Sequence, residues 1–184
     1  MKRTGRVFVV AGPSGAGKDT LIREVMKDLD IHLSVSVTTR QPRLGEVNGR
    51  DYRFISDEDF DRLMAENAFL ECKEVYGRRY GTLKSEVEEA VASGTDVILE
   101  IDVKGALEVR SRLEDATLVF IMPPSLAELE TRLRGREADH EGEIKTRTDI
   151  APLEIEIGKK EFDVIIVNDD IERAAADLAT ILGR

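Results

Sequence analysis

The sequence contains no tryptophan and only one cysteine among its 184 residues. With Cys72 alone, an intrachain disulfide is excluded, and a reducing cytoplasm is the predicted location. The two histidines, His32 and His140, are isolated and lack metal-ligand spacing, so we treat both as structural or exposed. No apolar run approaches the length of a membrane span, and Val7–Ala11 is too short for the core of a signal peptide. We therefore expect no membrane partner.

Basic residues are fewer than acidic ones. The chain has 27 lysines and arginines and 37 acidic residues, and its formal net charge is −10. A protein that binds nucleic acid broadly needs a basic face to displace counterions from the phosphate backbone, so a nucleic-acid partner is not expected. A small anionic ligand needs only a local cluster of cations. Clustered arginines are present in this chain: Arg40, Arg43, Arg50, Arg53, Arg78, Arg79, Arg132, Arg134, Arg136 and Arg147.

Short apolar runs rich in β-branched residues alternate with segments of helical pattern. The runs are Val7–Ala11, Val97–Ile101, Leu118–Ile121 and Val164–Val167. Continuous apolar runs are typical of strands in a parallel sheet covered on both faces, and the segments between them are long enough for helical crossovers. With 184 residues, of which 41% are hydrophobic, the chain is predicted to form one α/β domain.

Capping signals predict where several helices begin and end. Ser125 is followed three residues later by Glu128 and is preceded by a proline pair, which is the pattern of a capping box. A similar helix is predicted from Ser56, and another runs from Leu83 to a terminating Gly94.

Two segments do not fit a regular helical pattern. Pro152 interrupts the pattern that follows Arg147, and the next residues alternate as in a strand, so we expect a kink or a helix restart near the proline. The region Thr38–Tyr52 is rich in glycine, proline and arginine and is predicted to be an ordered functional loop or a small insertion.

The stretch AGPSGAGKDT, residues 11–20, nearly matches the phosphate-binding motif G-x-x-x-x-G-K-[ST]. An apolar strand enters it and a helical pattern leaves it, so backbone N–H groups can face phosphates at a helix N-terminus. Lys18 is predicted to reach the β- and γ-phosphates of a triphosphate. Asp19 replaces the usual hydroxyl residue: either it faces Mg²⁺, or it turns outward while Thr20 stays near the phosphates.

Beyond this loop, motifs follow one another in an order typical of one family. They are GPSGAGKDT, SVTTRQPRLGEVNGRDY, FLECKEVYGRRYGT, LEIDVKGA, RLRGR and VIIVNDD. Through them the chain resembles the guanylate kinases over nearly its whole length. The resemblance implies a P-loop kinase core with a parallel β-sheet flanked by helices, an inserted small mixed α/β region that binds GMP, and a helical lid. The implied boundaries are 1–35, 83–134 and 151–184 for the core, 36–82 for the GMP-binding region and 135–150 for the lid.

The resemblance also implies an activity and the residues that serve it. The activity is direct in-line phosphorylation of GMP or dGMP by ATP, with Mg²⁺ as cofactor. The implied catalytic residues are Lys18, Arg43, Arg136 and Arg147. The implied ATP contacts are Gly12, Pro13, Ser14, Gly15, Ala16, Gly17, Lys18, Asp19, Thr20 and Asn168. The implied GMP contacts are Ser36, Arg40, Arg43, Tyr52, Glu71, Tyr80, Thr82 and Asp102. The implied metal contacts are Asp19 and, through water, Glu100.

The chemistry of these residue types suits the implied roles. Guanidinium groups bind phosphate oxygens bidentately, and phenol hydroxyls add neutral donors. A carboxylate accepts hydrogen bonds from N1 and N2 of guanine, and adenine offers no such pair of donors. Glu100 and Asp102 are two apart at a strand end, which puts them on one face. Taken alone, Glu71 would be interpreted as a solvated strand residue, and only the companion motif residues reverse this; the lid arginines could form ion pairs within their helix.

Two other functions are weighed against this one. Guanylate-kinase-like domains that bind peptides without catalysis usually have a damaged phosphate loop, whereas Lys18 is intact here. A kinase of the same fold that acts on a phosphorylated ribose also carries G-K-D, but it should not need the guanine-reading set Ser36, Glu71 and Asp102. ATP and GMP are therefore the predicted partners, and a homo-oligomer is compatible with the sequence.

Overall fold

A computed structural model describes residues 4–75, 77–135 and 141–183 of the chain. Its strands are β1 (Val7–Ala11), β2 (His32–Leu33), β3 (Val37–Thr38), β4 (Arg53–Phe54), β5 (Phe69–Val75), β6 (Arg78–Leu83), β7 (Val97–Glu100), β8 (Thr117–Met122) and β9 (Val164–Val167). Its helices are α1 (Lys18–Val25), α2 (Asp57–Ala65), α3 (Lys84–Ser93), α4 (Val103–Arg112), α5 (Leu126–Arg134), α6 (Glu141–Glu161) and α7 (Ile171–Gly183).

The larger sheet is parallel and has five strands in the order β2-β7-β1-β8-β9. The four apolar runs of the sequence are its strands β1, β7, β8 and β9, so the predicted α/β class with a parallel sheet is confirmed. Alternate residues of β1 enter different apolar clusters: Phe8 and Val10 pack with α1 and α7, whereas Val9 and Ala11 pack with α3 and α4. The sheet is therefore covered on both faces.

A second, mixed sheet of four strands lies within the inserted part of the chain, in the order β4-β3-β6-β5. Strand β3 pairs parallel with β4 and antiparallel with β6, which in turn pairs antiparallel with β5. This insert has a small core of its own, in which Val37, Phe60 and Phe69 are buried. Arg53 of β4 forms an ion pair of 2.9 Å with Glu86 of α3, which ties the insert to the larger sheet's helices.

The predicted capping residues occupy the predicted helix ends. The side chains of Ser56 and Ser125 accept hydrogen bonds from the backbone N–H groups of Asp59 and Glu128. Gly94 ends α3 in the left-handed conformation, with φ of 91°. These hydrogen bonds satisfy backbone groups that the first and last turns would otherwise leave unpaired.

Of the two outcomes expected near Pro152, the helix restart is wrong, because α6 is a single helix that contains the proline, whereas the kink stays a prediction. Packing offsets the lost backbone hydrogen bond, since Ile144, Ala151 and Gly158 are buried along this helix. A Cβ at Gly158 would lie 2.4 Å from the ring of Phe120, so glycine is required for this close approach. The helix crosses the boundary predicted between lid and core, and that boundary stays a prediction. No helix in the described residues is long and apolar enough to cross a membrane.

Candidate functional site

The phosphate-binding loop connects β1 to α1 at the carboxyl edge of the parallel sheet. Gly15 and Gly17 have φ of 90° and 91°, a conformation that other residues rarely adopt. A Cβ on Gly17 would lie 2.3 Å from Nδ2 of Asn168, and this amide donates a 2.8 Å hydrogen bond to the carbonyl of Ala16. None of the described side chains caps α1, so its first N–H groups remain available for an anion.

Lys18 lies across the loop, where its Nζ donates hydrogen bonds to the carbonyls of Gly12 and Pro13 at 2.8 and 3.1 Å. Glu100, at the end of the neighbouring strand β7, faces the same ammonium group. Burial raises the pKa of Glu100, Lys18 opposes this shift, and the nearby Asp19 carboxyl adds to it. A cation between the two carboxyl groups would stabilise both of them in the ionised form.

The surroundings of Asp19 agree in part with both interpretations of the G-K-D sequence, namely that the carboxyl faces Mg²⁺ and that it turns outward. Its carboxyl is close enough to Glu100 to affect that residue's pKa, which is the position that a metal contact needs. It also forms an exposed ion pair of 3.3 Å with Arg23, one helical turn later. The two interpretations therefore remain open, and Thr20 is exposed at the mouth of the adjacent cavity.

A cavity of about 470 Å³ lies beside the loop. The guanidinium group of Arg132 borders it and donates hydrogen bonds to the carbonyl of Asn168 and the carboxylate of Glu128. Among the described residues, those that line it are Gly15, Gly17, Thr20, Arg132, Asn168, Asp169, Asp170 and Ile171. Asn168 is buried and is positioned both to hold the loop and to border this space.

One of the two predicted lid arginines reaches the loop. Nη1 of Arg147, on α6, donates a 2.9 Å hydrogen bond to Oγ of Ser14. Its ion pair with Glu143 in the same helix is long, at 3.8 Å. The contact with the loop therefore orients this side chain more strongly than the intrahelical pair does. Arg136 and His140 lie outside the described residues.

The insert presents a polar face toward the site from the ladder of β5 and β6. Glu71 is opposite Thr82, and Lys73 is opposite Tyr80, so these side chains share one face of the sheet. Glu71 is only 2% exposed, and its Oε1 accepts a 2.7 Å hydrogen bond from Thr82. Its Oε2 is buried and has no hydrogen-bond partner among the described residues. Burial consequently raises the pKa of Glu71.

Asp102 lies against Glu71 because α4 begins there. It caps this helix, with Oδ1 accepting a 2.8 Å hydrogen bond from the N–H group of Gly105. A Cβ on Gly105 would lie 2.8 Å from Oε2 of Glu71 and 3.2 Å from Oδ1 of Asp102. Because glycine has no Cβ, residue 105 leaves room for the carboxylates of Glu71 and Asp102 near each other.

A second group of predicted contacts surrounds Arg40. Its guanidinium carbon lies 5.3 Å from the centre of the Tyr52 ring, and the rings of Tyr52 and Tyr80 are 6.0 Å apart. Glu46 binds both ends of the Arg40 guanidinium group, at 2.8 and 3.0 Å. It also accepts a 2.7 Å hydrogen bond from the backbone of Arg43, whose side chain is exposed.

The remaining predicted contact, Ser36, is half-buried at the start of the insert, and its carbonyl accepts a hydrogen bond from Arg53. Lys73, Glu46 and Glu154 were not among the site residues predicted from the sequence. Lys73 and Glu71 are two apart on one strand, so strand alternation could have placed them on one face. Glu154 lies on α6, where burial raises its pKa and the charge of Lys18 opposes this shift. No local sequence motif predicts a role for Glu154.

Together, the loop, the insert and the arginine on α6 define a class of protein. A parallel sheet leads through a glycine-rich loop into a helix, and an arginine from another helix contacts that loop. A separate sheet carries the buried acid Glu71, and the guanidinium group of Arg40 lies among the aromatic rings beside that sheet. This is the architecture of a P-loop phosphotransferase that binds a donor nucleotide and a separate anionic acceptor.

Comparison with known proteins identifies the family. The guanylate kinase family matches residues 4–184. A guanylate kinase from Shewanella denitrificans is 47% identical over 184 residues, which are 99% of this chain and 88% of that protein. A guanylate kinase from Rubrobacter xylanophilus is 48% identical over 183 residues, with 99% and 95% coverage. The crystal structure of guanylate kinase from Anaplasma phagocytophilum superposes with a TM-score of 0.81 at 35% identity, covering 99% of this chain and 86% of that one. The chain belongs to the guanylate kinase family.

Proposed function

We propose that this enzyme transfers the γ-phosphoryl group of MgATP to GMP or dGMP, giving ADP and the nucleoside diphosphate. The observation that carries the proposal is the buried Oε2 of Glu71, which has no hydrogen-bond partner in the described part of the chain. A buried acceptor without a partner is costly, and guanine supplies the N–H donors that would satisfy it. Adenine has no corresponding pair of donors at this edge.

Recognition of the acceptor divides between two groups of residues on the insert. Glu71, Thr82, Asp102 and Ser36 are proposed to contact the guanine base. Tyr52, Tyr80, Arg40 and Arg43 are proposed to bind the phosphate. The rings of Tyr52 and Tyr80 pack edge to face, and Glu46 fixes the Arg40 guanidinium group against them. A phosphate arriving there meets donors that are already oriented.

Recognition of the donor is proposed at the loop and the adjoining cavity. The loop amides and Lys18 would bind the ATP phosphates, and the cavity bordered by Asn168 would take the adenine base. The carboxylates of Asp19 and Glu100 fit Mg²⁺, which is commonly held by one or two carboxylates together with phosphate oxygens and water. When bound, this ion would neutralise charge on the phosphates during transfer.

Catalysis in this scheme depends on position and charge. Lys18 holds the donor phosphates, Arg40 holds the acceptor, and Arg147 is anchored at the loop through Ser14. Arg136 is proposed as a second lid cation on the strength of the sequence motif. The acceptor is already a phosphate oxygen, so no general base is needed, and alignment of the two phosphates supplies most of the rate.

The same reasoning sets the proposed context of the enzyme. ATP and GMP are its proposed partners, without nucleic acid or membrane, and its proposed location is the cytoplasm. The proposed boundaries of core, GMP-binding region and lid are those that the motifs imply. The buried carboxyl of Glu71 on the insert favours GMP over a phosphorylated ribose, because a ribose has no ring N–H donors to satisfy it.

The experiment is an acceptor panel. Purified protein is given MgATP with GMP, dGMP, AMP, UMP, CMP or ribose 1,5-bisphosphate, and ADP release is measured. GMP and dGMP should be clearly the best acceptors. A Lys27→Ala variant serves as a control for preparation, because this exposed lysine pairs with Glu24 away from the site. Preference for any other acceptor would overturn the proposal.

A further inference from the structure

Lys73 is a cation on the polar face of the β5–β6 ladder that carries predicted guanine contacts, and it lies nearer to Glu71 along the ladder than Arg78 does. On the ladder of β5 and β6 it lies two residues from Glu71, on the same side of the strand, and directly opposite Tyr80. Its side chain is 26% exposed, so much of the ammonium group's surroundings are protein. It therefore stands between the proposed base site and the proposed phosphate site.

The ammonium group of Lys73 bonds to the carboxylate that faces Glu71. Nζ lies 2.7 Å from Oδ2 of Asp102, and the other oxygen, Oδ1, accepts the N–H group of Gly105. Asp102 is thereby fixed from both sides. One oxygen is held by the helix that it caps, and the other is held by a side chain from the insert.

Lys73 also offsets an accumulation of negative charge. Its charge opposes the upward shift that burial causes in the pKa of Glu71. It opposes the corresponding shift in the pKa of Glu154, which faces Lys18 and Asp102 as well. Without this ammonium group, Asp102 and Glu71 would repel each other across the space above Gly105.

We propose that Lys73 is a positioning residue for guanine selectivity, one that holds Asp102 beside Glu71 so that both carboxylates face the N–H donors of the base. The inference rests on the proposed function and names a residue that acts through its neighbours. Lys73 makes no bond to the base in this scheme. Its removal should therefore weaken recognition of the donors on guanine without affecting the ATP site.

The test compares Lys73→Met, Lys73→Arg and the parent enzyme with GMP and with IMP, which lacks the N2 amine. Lys73→Met should raise the KM for GMP about 3- to 10-fold, which is at or below the lower end of the effect of one recognition contact, because the ion pair is partly exposed. The KM for ATP and the kcat should stay near the parent values. The ratio of kcat/KM for GMP over IMP should fall. Lys73→Arg should restore most of that ratio, because it keeps the charge beside Asp102.

Lys27→Met is the matched control, since it removes a lysine from an exposed ion pair of 2.6 Å with Glu24. An equal loss with GMP and IMP would overturn the inference, because it would indicate a general effect on folding or on phosphate binding. An unchanged or lower KM for GMP would also overturn it, because Lys73 would then compete with the base for Asp102. If the parent enzyme fails to phosphorylate GMP, the proposed function itself fails, which is a separate result from an unaltered GMP-to-IMP ratio.

Discussion

Replacing Glu71 with glutamine should weaken GMP recognition and increase the stability of the folded protein. In the proposed function the buried carboxyl binds the base, whereas its burial costs stability. Burial raises the pKa of Glu71 in the folded protein, and Lys73 offsets this only in part. A carboxyl group whose folded pKa lies above its unfolded value contributes full stability below the unfolded pKa. That contribution is lost as the pH rises through the folded pKa. At neutral pH the raised pKa therefore costs the parent enzyme stability that the glutamine variant, which has no ionisable group at this position, does not lose.

The expected changes in stability and in GMP recognition follow from the contacts of the Glu71 side chain. Glutamine keeps an oxygen that can accept the hydrogen bond from Thr82, so no bond is lost on that side. Removing the buried charge should add roughly 1 kcal/mol of stability, which corresponds to an increase in Tm of about 2–4 °C for a chain of this size. Recognition should suffer, since the new amide directs N–H groups toward the donors of guanine. We expect a loss of about 1–3 kcal/mol, or about 5- to 150-fold in kcat/KM for GMP.

The assay combines thermal unfolding with steady-state kinetics. The gain in Tm should be present at neutral pH and should disappear as the pH falls below about 4, where the parent carboxyl becomes protonated in the unfolded state as well as in the folded state. Glu74→Gln is the matched control, because Glu74 is exposed on the same strand and should alter neither Tm nor GMP kinetics appreciably. A Glu71→Gln enzyme with normal kcat/KM for GMP would refute the role in recognition. A lower Tm at neutral pH would refute the argument from burial.

Three further substitutions test other parts of the site. Lys18→Ala should lower turnover by about two to three decades while calorimetry still detects GMP binding, and near-normal turnover would show that the loop is not the donor site. Gly105→Ala should raise the KM for GMP with Tm unchanged or higher, because its Cβ would displace the Glu71 carboxylate while alanine favours the helix. Asp19→Ser should raise the Mg²⁺ concentration needed for half-maximal rate if Asp19 faces the metal, whereas superimposable Mg²⁺ titrations would assign it to the outward ion pair with Arg23.

The elements that sequence reasoning found are those that carry their own local signal. Continuous apolar runs identified β1 and β8, and the serine caps identified the starts of α2 and α5. The strand His32–Leu33 has only two residues, and it forms because the neighbouring strand β7 offers a free edge rather than because of its own pattern. At Pro152 a local signal was misleading, since burial of one face of α6 outweighs a missing hydrogen bond.

The site shows the same division. The spacing of the phosphate-loop motif identifies its glycines and Lys18, and the family resemblance implies Arg40. The contacts made by their partners could not be predicted in this way, because those contacts depend on strand register and helix packing. Lys73 reaches Asp102 only when β5 is set beside the start of α4. Glu154 reaches Lys18 and Asp102 only because α6 packs across the core.

The distribution of acids explains how a chain with a net charge of −10 can bind two polyanions. Burial raises the pKa of Glu71, Glu100 and Glu154, so the free enzyme holds three carboxyl groups in surroundings that disfavour their charge. Under the proposed function, guanine donors would satisfy the first of these groups and a Mg²⁺ ion would satisfy the second. Each ligand would then be bound partly through relief of a cost that the empty site already carries. Binding of GMP or MgATP should therefore raise stability by more than mutation of one contact suggests, because ligand binding also removes the penalty on a buried acid.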